Sequence, residues 1–186
     1  MRGYNEFMAF HHVAIAARDL VSVDRFYSQA MGFELARVVI AQTPEGGWAK
    51  HFFYEAGDGQ LIAFWELHDE SLGEEYPTAL SGGAGLPAWV NHLAFRATSR
   101  VQLEERRDHW LACGYGVLEI DHDWCQSIYT TDPGGTLVEW CWTTREASEE
   151  DRARARLALE RDDLPHDEHQ AAVQMHQASV PPLHER

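Results

Sequence analysis

A chain of 186 residues with 45 % apolar and 11 % aromatic residues is long enough to bury one substantial core, or two small units that share one. Its formal net charge of -15 makes nucleic acid and anionic membrane surfaces poor partners, because phosphate-driven affinity needs clustered Lys and Arg. No apolar run approaches the roughly 18 to 20 residues of a membrane span, and the opening MRGYNEFMAF has no apolar run and cleavage site of a secretory signal, so a cytoplasmic protein with a small-molecule substrate is expected.

HVAIAARDLVSVDRFYSQAMGFEL, from His12, opens as an alternating strand and passes a polar helix start at Asp19 or Ser22. Apolar positions then recur at helical spacing until Gly32, in the usual place for a left-handed cap. FELARVVIA is a further strand, and HFFYEAGDGQLIAFWEL is two strands joined around the Gly-Asp-Gly turn at 57 to 59. After the Gly- and Pro-containing segment GEEYPTALSGGAGLPA the same plan returns. HLAFRATSRVQLEERRDHWLACGYGV, from His92, has the strand, a helix start at Ser99 with Gln102, and the glycine stop at Gly114. YGVLEI is the next strand, and QSIYTTDPGGTLVEWCW is two strands joined around Asp132 to Gly135.

The chain therefore divides into a first β-α-β-β-β unit at 10–68, a linker at 69–89, a second unit at 90–143 and an acidic C-terminal helix and tail at 144–186. The fold class is α+β, with the two units forming a curved mixed sheet. Ser148 with Asp151 reads as a capping box, residues 149–161 as a helix, and Asp162 to Pro165 as its stop. Cys113, Cys125 and Cys141 are an odd number without CxxC spacing, which argues for reduced, buried thiols. Sheets of this kind leave edges and faces to cover, so a homodimer is expected, with the C-terminal helix as a clasp.

One acid interrupts the apolar strand LVEW. Alternation puts Leu137, Glu139 and Cys141 on one face and Val138, Trp140 and Trp142 on the other, and a buried carboxylate is costly unless paired, hydrogen-bonded or bound to metal. The duplication supplies partners, since His12 and His92 open equivalent strands and would face each other across a shared sheet. HVAI matches HLAF, so His12 rather than His11 is the equivalent residue, and alternation turns His11 to the opposite face. Two imidazoles and one carboxylate suit a divalent transition metal that keeps open positions. The first unit has Ala63 at the place of Glu139, so one metal site is expected, not two. The tail histidines His166, His169, His176 and His184 do not form the HExxH pattern of a zinc helix.

Residues 10 to 143 resemble the vicinal oxygen chelate superfamily, which includes glyoxalase I, fosfomycin-resistance enzymes, antibiotic-sequestering proteins and extradiol catechol dioxygenases. IDHDWCQSIYTTDPGGTLVE is similar to the extradiol signature in particular: His122, Ile128-Tyr129, Asp132-Pro133, Gly135 and Glu139. The resemblance implies a metal held by His12, His92 and Glu139, Fe(II) first with Mn(II) or Zn(II) as alternatives, and catalytic roles for His122 and Tyr129. It implies that a catechol-like diol chelates the metal through adjacent oxygens and is opened with O2. Trp48, Phe64, Trp65, Trp89, Trp124 and Trp140 offer surface for a flat ring.

One departure stands in GDGQLIAF, where Gln60 lies near the position of an acid/base His in familiar extradiol enzymes; a glutamine cannot shuttle a proton, which leaves His51 or His122 for that task. The rivals are a glyoxalase-type isomerase, which would want a fourth ligand near Ala63, and a fosfomycin-type transferase, for whose phosphonate only the scattered Arg37, Lys50 and Arg96 are available.

Overall fold

The computed structural model describes residues 10–186. Residues 1–9, and with them most of the opening stretch behind the cytoplasmic expectation, lie outside the described residues. No helix among the described residues is long and apolar enough to cross a membrane.

Both units are present. In the first, β1 (His12–Ala16) leads to α1 (Leu20–Asp24), which runs on as a π-helical segment (Arg25–Ala30), then β2 (Glu34–Gln42), β3 (Trp48–Gly57) and β4 (Gln60–His68). The second repeats the order with β5 (His92–Arg96), α2 (Arg100–Ala112), β6 (Val117–Asp121), β7 (Cys125–Thr131) and β8 (Leu137–Thr143). Local chemistry sets the elements. Asp19 caps α1 by accepting from the Val21 and Ser22 amides, and Ser99 caps α2 by accepting from the Gln102 amide. Gly32 and Gly114 end the helical runs at φ of 75° and 90°. Gly114 has a second constraint: a Cβ there would stand 2.1 Å from the Pro181 carbonyl oxygen of the C-terminal segment.

The units build two mixed sheets, in strand order β1-β4-β3-β2 and, with one addition, β5-β8-β7-β6-β9. The addition is β9 (Ala172–His176), which pairs antiparallel with β6 and was not foreseen. The helix of the extension, α3 (Glu149–Ala158), has the expected capping box but stops short of Arg161. Its side chains include no buried residue, so little beyond local bonding holds the last turn.

Between the sheets lies one core. Phe26, Tyr27, Met31 and Tyr54 from the first unit pack with Trp110, Tyr115, Ile128 and Val138 from the second, and Phe26 meets Tyr115 edge-on at 4.9 Å between ring centroids. A buried polar tie crosses the core as well. The Tyr27 hydroxyl donates to Asp132 Oδ2 at 2.9 Å, while Asp132 Oδ1 accepts the Thr136 amide at 2.8 Å and closes the β7–β8 turn. The linker is stapled to both units: Tyr76 donates to the Ala17 carbonyl, and Thr78 to that of Gly134.

Because the units meet through their helix-bearing sides, the edges β1 and β5 are not paired with each other. His12 and His92 therefore do not meet across one continuous sheet within the chain. Burial raises the Asp132 carboxyl above its ordinary range, with the Thr136 amide and Tyr27 hydroxyl opposing. Changing Tyr27 to Phe removes one of those donors and should cost about 1–3 kcal/mol of stability, read as a lower urea midpoint with an unchanged far-ultraviolet circular dichroism spectrum.

Candidate functional site

Glu139 faces away from the core that holds its neighbours Val138 and Trp140, yet it is only 5 % exposed. The register explains its company. Ala94 of β5 and Tyr129 of β7 both stand opposite Glu139, and His92 shares the face two residues before Ala94. Nε2 of His92 lies 3.0 Å from Glu139 Oε2. The Tyr129 hydroxyl donates to Glu139 Oε1 at 3.1 Å, and Nε2 of His122, in the turn after β6, is 3.0 Å from the same phenol oxygen. Since the single phenol proton goes to Glu139, His122 must donate, which fixes its Nε2–H tautomer. Four of the five expected site residues thus form one chain of contacts: His122, Tyr129, Glu139, His92.

Electrostatics keeps that chain protonated where it must donate. Burial, opposed by Ser127 and reinforced by the Glu139 carboxylate, pushes the Tyr129 phenol well above its usual value. On the same face Cys125 is pushed up to about 12 by burial and by its neighbour Cys141. His92 and Glu139 suit a metal as a pair. Two ligands about 2.1 Å from one ion at right angles stand about 3.0 Å apart, which is the separation of the two facing atoms.

The fifth residue, His12, stands elsewhere. It opens β1 on the exposed edge of the first sheet, with its ring 6.2 Å from His51 and 5.6 Å from Phe53 between centroids. His11 precedes the strand, so alternation does not govern it, and its Nδ1 is 2.8 Å from that of His12 instead of facing away. His51 is buried and stacked on Trp65 at 3.7 Å, and its Nε2 has no partner. Burial, with His12 as the second cause, lowers its pKa, so it is held neutral. Among the described residues no three His, Cys, Asp or Glu side chains of one copy come close enough to hold a metal ion.

The first sheet shows what the site lost or never had. Ala63 stands opposite Ala14 and Phe53, as Glu139 stands opposite Ala94 and Tyr129. Ala63 thus has the place of Glu139, and Phe53 that of Tyr129. The expected surface for a flat ring is not assembled: Phe64 and Trp140 are buried in the core, whereas Trp89 and Trp124 are 71 % and 52 % exposed. Beside the open edge of β5 a cleft of about 600 Å3 runs between the units, with His92, Arg96, Gln60 and Phe10 on its walls. The sequence reading missed β9, although the apolar-polar alternation of AVQMH is a strand signal.

Residues 9–140 match the family model described as the Glyoxalase/Bleomycin resistance protein/Dioxygenase superfamily. A glyoxylase/bleomycin resistance protein/dioxygenase domain from Frankia sp. EAN1pec is similar in structure, at 17 % identity and a TM-score of 0.58, over 74 % of this chain and 99 % of that one. A lactoylglutathione lyase from Agrobacterium tumefaciens is similar at 20 % identity and a TM-score of 0.50, over 74 % and 96 % of the two chains. These likenesses concern the fold. No curated protein matches the chain in sequence.

The contact chain makes its own prediction. Tyr129→Phe strips a donor from a buried carboxylate and should destabilise the protein by about 1–3 kcal/mol, measured by urea unfolding.

Proposed function

The chain belongs to the glyoxalase/bleomycin resistance protein/dioxygenase superfamily, and from that premise we propose that it is a metal-dependent dioxygenase that opens the ring of a catechol-like aromatic diol with O2. The superfamily is mostly enzymatic, and its members bind divalent metals and act on small molecules, often as dimers. The observation that carries the finer reading is the contact chain from His122 through Tyr129 and Glu139 to His92, because it joins the residues of the ring-cleavage signature to the acidic metal ligand. Two further observations favour it over the rivals. Ala63 leaves no carboxylate at the place in the first sheet equivalent to Glu139, where an isomerase would want its fourth ligand, and Lys50 is engaged by Glu66 at 2.6 Å instead of being free for a phosphonate.

His92 and Glu139 of one copy, together with His12 of a second, are the proposed ligands, for Fe(II) first and Mn(II) or Zn(II) otherwise. The support is topological: β1 and β5 are both open sheet edges, each carries one histidine at its start, and one copy does not bring the three ligands together. A divalent ion held by these residues would supply Lewis acidity toward adjacent substrate oxygens and a redox centre for the reaction with O2. The protein's own groups do the positioning and the proton handling. Tyr129 would turn its one proton from Glu139 to a substrate oxygen once Glu139 serves the metal, and so orient that oxygen. His122, half-buried at the other end of the chain, is the group that would take and return a substrate proton, the task that Gln60 cannot perform.

The test is oxygen uptake. Anaerobically reconstituted Fe(II) protein should consume O2 with catechol and give a yellow ring-opened product while the Zn(II) form does neither. His122→Ala should lower kcat by about 100-fold or more, and absence of uptake with a panel of catechols and hydroquinones overturns the reading.

The shared ligand set is tested separately. Glu139→Gln and His12→Ala should each lose bound metal in elemental analysis while staying folded. Mixing the two variants should restore part of it, because a mixed dimer holds one intact set; no restoration after subunit exchange rejects the assignment across two copies.

A further inference from the structure

Strand β9 turns its apolar side to solvent. Pairing with β6 sets Met175 opposite Leu118 and Val173 opposite Ile120, so alternation sends Gln174 and His176 to the helix side of the sheet. There His176 Nε2 lies 2.9 Å from Glu119 Oε2, and the same oxygen is held by Arg107 of α2 at 3.2 Å. A slip of one residue would exchange the faces and bury the apolar pair. The observed register does the reverse, and Val173 and Met175 remain 62 % and 57 % exposed.

The face they occupy is that of the candidate site. Glu139, Tyr129, Leu118 and Met175 form one cross-strand row over β8, β7, β6 and β9. The neighbouring row continues from Ser127 to Ile120 and Val173. With strands about 4.8 Å apart, Leu118 stands roughly 10 Å from Glu139 along that row and Met175 roughly 14 Å. The row therefore runs from ionisable groups to aliphatic ones, over a length that a single benzene ring held at Glu139 does not span. Strand β9 also lies beyond residues 9–140, the part that matches the family model. Val173 and Met175 thus extend the apolar end beyond the matched part, while Leu118 and Ile120 lie within it.

We infer that Leu118, Ile120, Val173 and Met175 form the wall that receives an apolar arm of the substrate, so that the preferred substrate is an aromatic diol carrying an apolar substituent and not a bare catechol. The inference rests on the dioxygenase reading for the diol end; the arm end stands on the register and exposure of β9. The polar oxygens sit at His92 and Glu139, and the arm lies across Tyr129 onto the four aliphatic side chains, where each methylene removed from water adds affinity. Continuity of one sheet face from the ligand pair to the patch is what favours substrate over a second copy of the chain as occupant.

Isothermal titration of the full-length, Zn(II)-loaded protein without oxygen tests this with catechol and 4-hexylcatechol as probes, on the wild type and on the double variant Val173→Thr, Met175→Gln. The wild type should bind hexylcatechol about tenfold or more tightly than catechol, and in the variant the ratio should fall close to one with the same sedimentation coefficient. Equal affinities in the wild type, a ratio that survives in the variant, or failure of both diols to bind overturns the inference. So does a change of oligomeric state in the variant, which gives the face to a second copy. Oxygen uptake by the Fe(II) protein separates the two readings. Ring cleavage without a patch-dependent preference removes only the arm site, and a patch-dependent preference without oxygen uptake removes only the dioxygenase reading and supports the arm site.

Discussion

Asp132 is buried between the two units, and both of its carboxylate oxygens are engaged: one closes the β7–β8 turn through the Thr136 amide, the other accepts the hydroxyl of Tyr27 from the first unit. Burying that carboxylate is costly unless its bonds are made, so the turn and the packing of the two units are selected together. The turn in turn fixes the β7–β8 register, which sets Tyr129 opposite Glu139. A shift of one residue there would send Glu139 into the core and Trp140 toward the site. The contact between units and the geometry of the candidate site thus depend on one hydrogen-bonded acid.

Two copies of one plan have diverged along that constraint. The second sheet carries a graded row, from Glu139 through Tyr129 to Leu118, in which a buried carboxylate accepts a hydrogen bond from a phenol and has the His92 imidazole beside it. The first sheet has Ala63 and Phe53 at the equivalent places, with His51 stacked on Trp65 beside them. At these equivalent places the first sheet is apolar and the second carries an acid. Faces so different are complementary: an edge with a spare histidine and no acid, and an edge with a histidine and its acid. The proposed pairing of β1 of one copy with β5 of another would bring these two edges together.

Sheet edges govern the remainder of the molecule. Strand β9 covers the β6 edge and is pinned by His176 to Glu119, which removes one unpaired ladder from solvent. Among the described residues no strand pairs with the outer sides of β1 and β5, although each begins with a histidine. Strand β2 is exposed along its whole length, including Val38, Val39 and Ile40. Covering is therefore selective, and it adds an apolar face where the candidate site continues.

The sequence by itself determined the units, because alternation, caps and left-handed glycines are local signals: the strands at His12 and His92, the caps at Asp19 and Ser99, and the turns at Asp58 and Asp132 can be read within a few residues of each. The resemblance to the ring-cleavage signature grouped His122, Tyr129 and Glu139, while alternation said only which side chains of each strand share a face. Tertiary structure alone decided how the units meet. Duplication says that His12 and His92 are equivalent, but whether equivalent edges join within one chain depends on which faces bury more apolar area, and here Phe26, Tyr27, Trp110 and Val138 bring the units together through their helix-bearing sides. It decided the place of β9 as well, since a five-residue strand has no local signal for its partner and gains its register only from the ladder of β6 and the charge of Glu119.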